Sequence, residues 1–394
     1  MQVLVLTEYP FEEMACSYEW PNRINEKRIF KRSSVSMKIL FVYYVPSGGV
    51  ETLARQRTAA LANSGIQFQF LFFSQGAGMQ NIKEKTWITN DDTQISSILH
   101  SERFDAIIVG SDYPFLERVR KLGYTGKLIY EVQGMGILST ADSILKYAQP
   151  YVNQYADAIL LPKTPHLVSL IDKYYPLKKK YSFHNCIDTT NFTYVTEGVS
   201  AEPYMLLGWV GRLEENKNWK EFLKISKRLV TSHPNLRIWI FTDSNLNPPS
   251  EVRAFQKMAR TLKLQRHITM LSNIPYNQMP TYYTRIGNSG GMLCSTSKYE
   301  GFGYAMVEAM CCLCPVLTTD SDGIKSFIFH NSTGKIYRQG DINHAVREAT
   351  DFIHNAPLKA QIRQNAQQYI KQHFTPEIYA ANFLQMLREL QLNI

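Results

Sequence analysis

The chain has 394 residues, 44% hydrophobic, 12% aromatic and 20% charged, which excludes the disordered, collagen-like and low-complexity classes and leaves a globular protein. That length exceeds what one core fills, so two domains are expected. The formal net charge of +9 would suit nucleic acid, an anionic membrane or anionic small substrates, but the cations are spread along the chain and a nucleic-acid partner is not expected.

The one dense basic run, Lys178-Lys179-Lys180, reads either as a solvated loop or as a patch for acidic lipid headgroups. Six cysteines, at 16, 186, 294, 311, 312 and 314, come with no secretory signal peptide and read as reduced thiols. The CCLC cluster at 311–314 lacks the further partners of a tetrahedral zinc site, so no metal is expected there. No apolar run approaches the roughly 20 residues of a membrane helix. The expected location is cytoplasmic, at most peripheral to the inner face of the membrane.

In chain order, residues 1–36 hold a strand-like MQVLVL and a polar stretch of no sustained period. They are an ordered extra element or an upstream extension, the second being favoured because Met37 can itself serve as an initiator. From Met37 a buried-strand run, a Pro-Ser-Gly-Gly turn and a helix ending at Gly65 form a first βα unit. Strand runs at 68–74, 104–110, 127–134, 157–162 and 179–188 then alternate with helices, which predicts a parallel sheet. After the polar joint EGVSAEP the pattern restarts: strands at 204–212, 236–243, 267–272, 290–296 and 314–320, with helices over 218–232, 251–263 and near 278–285. A last helix, PEIYAANFLQMLRELQL, has apolar residues at helical spacing.

Two such sheets leave a cleft at the carboxyl ends of their strands, where open α/β sheets bind ligands. Arg212 and Lys217 follow the first strand of the second half, with Gly211 just before them, and the turn EGFGYAMVEAM follows a later strand. Two cations and a glycine turn at one edge suit a diphosphate: the cations neutralise it, while Gly301-Phe302-Gly303 and the next helix N-terminus bring backbone N–H groups to its oxygens. Glu308, in the second turn of that helix, is then placed for a ribose, and Glu300, before the glycines, for the hydroxyls of a sugar. Gly48 and Gly49 read as a backbone approach to donor phosphates or acceptor, or simply as a βα loop. Glu308 on the apolar segment AMVEAM would be costly to bury without a partner. His184 is read as structural rather than catalytic. Paired carboxylates also serve glycosidases, which have no use for the two cations.

The segments GWVGRLEENKNW, EGFGYAMVEAM and FHNCIDTTNF together resemble the retaining GT-B glycosyltransferases of family 4, also called group 1, from about Met37 to the C-terminus. The E-x7-E motif with the upstream G-R-x4-K pair is the most specific part; Asn185, Asp188 and Asp157 also match. The resemblance implies an α/β fold of two Rossmann-like domains facing a cleft. Residues 37–195 would bind a glycan, lipid or other hydroxyl acceptor, residues 196–374 would bind the donor, and a closing helix at about 375–394 would pack back on the first domain. It further implies hexosyl transfer with retention from a nucleotide-diphosphate sugar, with no cofactor and no obligatory metal, in cell-surface polysaccharide or glycoconjugate synthesis. Arg212, Lys217 and Glu300 would be catalytic, and Gly48, Gly49, Gly211, Gly301, Phe302, Gly303, Glu308 and Gln133 would bind the donor.

The chain departs from the pattern at Gln133, where many members carry histidine, at Cys186 and Leu313, where glycine is usual, and at Ser326, where glutamate is common. Gln133 cannot titrate, so donor contact is the most it offers. The alternative is a non-catalytic GT-B protein binding nucleotide sugar or glycan as an assembly or coat component. A sugar-nucleotide epimerase shares the fold, but no convincing acid/base pair for it is evident.

Overall fold

The computed structural model describes residues 37–198 and 202–392; the extension read over 1–36 lies outside them. The first half runs β1 (Met37–Tyr43), α1 (Gly48–Ala60), β2 (Ile66–Phe72), β3 (Thr86–Ile88), α2 (Asp92–Glu102), β4 (Ala106–Gly110), α3 (Tyr113–Lys121), β5 (Lys127–Glu131), α4 (Leu138–Tyr155), β6 (Ala158–Leu161), α5 (Pro165–Tyr174) and β7 (Lys180–Ser182). The second half runs β8 (Met205–Val210), α6 (Trp219–Ser232), β9 (Leu236–Thr242), α7 (Pro249–Thr261), β10 (Ile268–Ser272), α8 (Met279–Asn288), β11 (Met292–Ser295), α9 (Tyr304–Cys311), β12 (Val316–Thr319), β13 (Lys335–Tyr337), α10 (Ile342–His354), α11 (Ala356–His373) and α12 (Pro376–Glu389).

Continuous apolar runs such as Ile39-Leu40-Phe41-Val42 are buried on both faces, as strands covered by helices on either side must be. The strands accordingly pair in parallel, in a seven-stranded sheet of order β3-β2-β1-β4-β5-β6-β7 and a six-stranded sheet of order β10-β9-β8-β11-β12-β13. Each order reverses direction beside its first strand, between β1 and β4 and between β8 and β11. Such switch points open a crevice at the carboxyl edge.

The C-terminal helix returns to the first half. Tyr379 of α12 accepts a 2.7 Å hydrogen bond from Arg57 of α1, and Phe383 packs on Phe68 of β2. Arg57 is also paired with Glu131 at the end of β5, both fully buried, so one ionic network ties α1, β5 and α12. Such a pair is tolerated in the interior because each charge has a partner.

The strand expected over 179–188 stops at Ser182. Beyond it the backbone leaves the sheet to bond other elements: Ile187 N–H donates to the Phe374 carbonyl at 2.9 Å and Asp188 N–H to Gln56 Oε1 at 2.6 Å. The lysine run is tied down by its neighbours. Lys178 donates to the Asn153 and Ala156 carbonyls at the end of α4, Lys179 to the Glu389 carbonyl at the end of α12, and Lys180 to Asp172. No helix among the described residues is long and apolar enough to cross a membrane. Cys186, Cys294, Cys311, Cys312 and Cys314 are buried free thiols, and burial pushes each of them up from its ordinary pKa.

Candidate active site

Loops at the carboxyl edges of both sheets line one cleft of about 730 Å³ between the halves. Every residue that the sequence reading assigned to the site borders it: Gly48, Gly49, Gln133, Gly211, Arg212, Lys217, Glu300, Gly301, Phe302, Gly303 and Glu308.

On the second half the loop after β8 is stitched to the loop after β11. The Trp209 indole donates to Thr296 Oγ1 at 3.1 Å, Thr296 donates to the Lys217 carbonyl at 2.8 Å, and the Asn216 amide donates to the Tyr299 carbonyl at 3.0 Å. Gly211 makes this stitching possible, because a Cβ there would lie 3.0 Å from the Trp209 ring and 3.1 Å from Lys217 Cγ. Lys217 is thereby delivered to the turn, where its Nζ donates to Glu300 Oε1 at 2.6 Å. The two residues that the sequence assigned to opposite ends of a ligand are ion-paired. Arg212 is half-exposed, with Nη2 at 3.2 Å from Glu214 Oε2.

The glycine turn is pressed against the first half. A Cβ on Gly301 would lie 1.8 Å from the Gln133 carbonyl oxygen, and the Thr164 hydroxyl donates to the Gly301 carbonyl. Gly303, at φ +86°, begins α9 in a left-handed conformation that a side chain would strain. Phe302 is only 5% exposed and packs its ring on Tyr304, Phe327 and Phe374, so it anchors the turn from below. No side chain caps α9. Across the cleft Ser47 does not cap α1 either; its hydroxyl donates to Asp243 Oδ2 of the second half at 2.9 Å. Two helix N-termini with unclaimed N–H groups thus border the cleft, each a partial positive charge suited to an anion.

Glu308 is buried with a 3.0 Å hydrogen bond from the Tyr283 hydroxyl. Burial pushes its pKa up to about 7, against the opposing pull of Tyr283 and Arg55 and with the help of Glu51. Glu51 and Arg55 come from α1, so the carboxylate looks across the cleft at an ion pair of the other half. Arg55 also stacks on the Tyr276 ring at 3.7 Å, while the Tyr276 hydroxyl accepts from Gln56 at 2.7 Å.

Both ends of the Gln133 side chain meet a protein partner. Its Nε2 donates to Glu131 Oε1 and its Oε1 accepts from the Asn185 amide, both at 2.8 Å, which extends the buried Arg57–Glu131 network to the cleft wall. His184 packs on the Phe374 ring and is pushed down in pKa first by burial, then by Lys163 and His373.

The bordering residues passed over in the sequence include Glu51, Tyr276, Tyr283 and His166. His166 carried a readable signal, since it stands just past a strand, at the start of a helix, where ligands are met in this class of sheet. The tyrosines carried none, because the approach of Tyr283 to Glu308 depends on how α8 packs on α9 and that of Tyr276 on the turn just before α8. Among the described residues no group of three or more His, Cys, Asp or Glu is placed to hold a metal ion.

Comparison with solved structures decides the architecture. Anabaena Alr3699/HepE in complex with UDP-glucose superposes with a TM-score of 0.76 at 17% identity, covering 90% of this chain and 100% of that one. The chain has the GT-B fold. A sucrose-phosphate synthase from Thermosynechococcus elongatus gives the same TM-score of 0.76 at 14% identity, over 90% of this chain and 99% of its own. Within the GT-B chain, residues 196–369 match the family Glycosyl transferases group 1. Among curated relatives, 2-deoxystreptamine N-acetyl-D-glucosaminyltransferase of Niallia circulans is 21% identical over 178 residues, 45% of this chain and 43% of that protein. Human alpha-1,3/1,6-mannosyltransferase ALG2 is 23% identical over 320 residues, 74% of this chain and 75% of its own. The match spans less than half the length of the first curated relatives, 43% for the Niallia circulans protein and 32% for mouse ALG2.

Proposed function

We propose that the chain is a glycosyltransferase that moves a sugar, with retention and without a required metal, from a nucleotide-diphosphate sugar to a hydroxyl of a glycan or lipid-linked acceptor. The observation that carries this reading is the convergence of Arg212, Lys217, Glu300 and Glu308 with the glycine turn on one cleft between the two halves. The match of residues 196–369 to Glycosyl transferases group 1 supports it, as do the transferase names of the relatives. In this reading the C1–O bond to the diphosphate breaks while a bond from C1 to the acceptor oxygen forms on the same face. The acceptor's proton passes to a departing phosphate oxygen. Arg212, Lys217 and the two helix N-termini stabilise the charge that grows on the leaving group. Glu308 accepts from the ribose hydroxyls and Glu300 addresses the sugar. A role in cell-surface polysaccharide or glycoconjugate synthesis agrees with a curated relative named as a capsular polysaccharide biosynthesis glycosyltransferase.

The test is a thermal-shift screen of UDP, GDP and their glucose, N-acetylglucosamine and mannose conjugates, followed by assay of sugar release. A ligand that binds the native state raises the melting temperature. A nucleotide sugar that stabilises the protein and loses its sugar supports the reading. One that stabilises without ever losing its sugar to any acceptor supports the non-catalytic binding alternative, and no shift with any of them overturns both.

A further inference from the structure

His166 plays no part in the machinery just described, yet it is the only imidazole bordering the cleft among the described residues. It enters from the first half, at the start of α5, and everything it meets across the cleft belongs to the second half. Its ring lies 5.9 Å, edge to face, from Tyr299, the residue before Glu300. Its Nδ1 lies 3.5 Å from Asp322 Oδ2, and that nitrogen is buried without a hydrogen bond. Asp322 is itself fixed. Lys325 donates to its carboxylate at 2.6 Å, and the next residue, Gly323, is pressed so close to Glu300 that a Cβ would come within 2.2 Å of the Glu300 carbonyl oxygen. His166, Asp322 and Tyr299 therefore form a constellation on the Glu300 side of the cleft.

The Asp322 carboxylate stands within reach of that buried nitrogen, so Nδ1 belongs to the protein side and Nε2 is the nitrogen left for a ligand. A carboxylate beside Nδ1 favours the tautomer with its proton there, which leaves a lone pair on Nε2. Burial holds the imidazole below its ordinary pKa against the pull of Asp322, so the ring is a neutral acceptor. Burial also works against the charge on Asp322, but Lys325 and His166 carry that carboxyl below its ordinary range. A neutral ring nitrogen beside the Asp322 carboxylate offers no positive charge to a phosphate and accepts from neutral hydroxyls. The Tyr299 ring adds an apolar wall. Hydroxyl donors on an apolar frame are the chemistry of a sugar.

We propose that His166, oriented by Asp322, reads the sugar in this cleft by accepting a hydrogen bond at Nε2 from one of its hydroxyls, carried by the donor or by the acceptor. This assignment rests on the glycosyltransferase reading above and extends it. His166 is a specificity residue and Asp322 its positioning residue.

The experiment compares the full wild-type chain with His166→Phe, which keeps an aromatic ring without an acceptor, His166→Gln, which restores an acceptor oxygen, and Asp322→Asn. Calorimetry with UDP, GDP and their glucose, N-acetylglucosamine and mannose conjugates is paired with KM for the acceptor that the wild type uses. His166→Phe should keep nucleoside diphosphate affinity near wild type and weaken the sugar-bearing ligand by about 10-fold, the scale of one lost hydrogen bond. His166→Gln should recover part of the loss, and Asp322→Asn should show a smaller one. A loss confined to the nucleotide sugar assigns the contact to the donor; unchanged donor binding with a raised acceptor KM assigns it to the acceptor. No loss in either arm, or equal losses for the diphosphate and its sugar conjugate, overturns the proposal while leaving the glycosyltransferase reading intact. A wild type that binds none of the nucleotides overturns that reading, and this one with it.

Discussion

Lys217 and Glu300 form a 2.6 Å ion pair that joins the loop after β8 to the glycine turn. A cation held this way is kept at the ligand end of its strand at little entropic cost, and its partner must release it, at least in part, when a diphosphate arrives. If Arg212 and Lys217 act on the leaving group, Arg212→Ala and Lys217→Ala should each lower the transfer rate by about 10²-fold or more, as loss of one preorganised charge does. Steady-state rates at saturating donor are the measurement. Near wild-type turnover in the double variant would remove both residues from the mechanism.

The same pair makes Glu300→Gln informative in an unusual direction. The amide no longer holds Lys217 by charge, so the lysine is freer to meet the diphosphate, while the contact to the sugar is weakened. Nucleoside diphosphate affinity should stay the same or rise, and transfer should fall together with selectivity among sugars. Calorimetry with diphosphate and intact donor separates these effects. Equal weakening of both ligands would mean that Glu300 does not address the sugar.

The alternation of long apolar runs with helices was enough to place β1, β2, β4, β8 and β9, because strands buried on both faces must be continuously apolar. β3 and β13, at Thr86–Ile88 and Lys335–Tyr337, were not legible, since three residues carry no period and pairing with a longer neighbour defines them. Arg212, Lys217, Glu300 and Glu308 were legible as one group because their spacing from strand ends is local information. What they touch was not. The Lys217–Glu300 pair, the Tyr283–Glu308 bond and the double engagement of Gln133 all depend on how separate segments pack. Gln133 shows the difference: its type excludes proton transfer, but only the structure reveals that Glu131 and Asn185 already use both ends of its amide.

Gly301 sets the distance between the halves. A methyl group there would have to occupy the space of the Gln133 carbonyl, backbone against backbone, so one of the two turns must shift to admit it. Gly301→Ala should push the turn off the first half and lower transfer by about 10²-fold, the scale that a misplacement of about 1 Å costs. Diphosphate binding on the second half should suffer far less. Equal loss of diphosphate binding would show that the turn itself had collapsed.

If Arg212, Lys217 and the helix ends carry the charge at the leaving group, no added ion is needed. Turnover should therefore survive chelation with EDTA at undiminished rate. Loss of activity with EDTA, restored by magnesium or manganese, would show that a metal carries that charge.

Glu308 should make both stability and donor affinity depend on pH. Its usual carboxyl pKa of 4.5 is pushed by burial to about 7 in the fold. Between these values the folded chain keeps a proton that the unfolded chain has lost, so this group's contribution to stability falls as pH rises through the window. It is unaffected below the lower value and fully lost above the upper one. Glu51, pushed up by burial and facing Glu308 beside Arg55, titrates as a neighbour, while Tyr276 and Tyr283 stay protonated because burial pushes both well up. Glu308→Gln should flatten the decline in melting temperature between about pH 5 and about pH 7. Binding should run the other way, because ribose hydroxyls donate more strongly to an ionised carboxylate than to a neutral acid. Affinity for the intact donor should rise through about pH 7 in the wild type and stay flat in Glu308→Gln. The nucleotide sugar is the right probe, because a free terminal phosphate has its own ionisation near pH 6. A donor affinity that rises equally in both proteins would place the titrating group elsewhere and take the ribose contact away from Glu308.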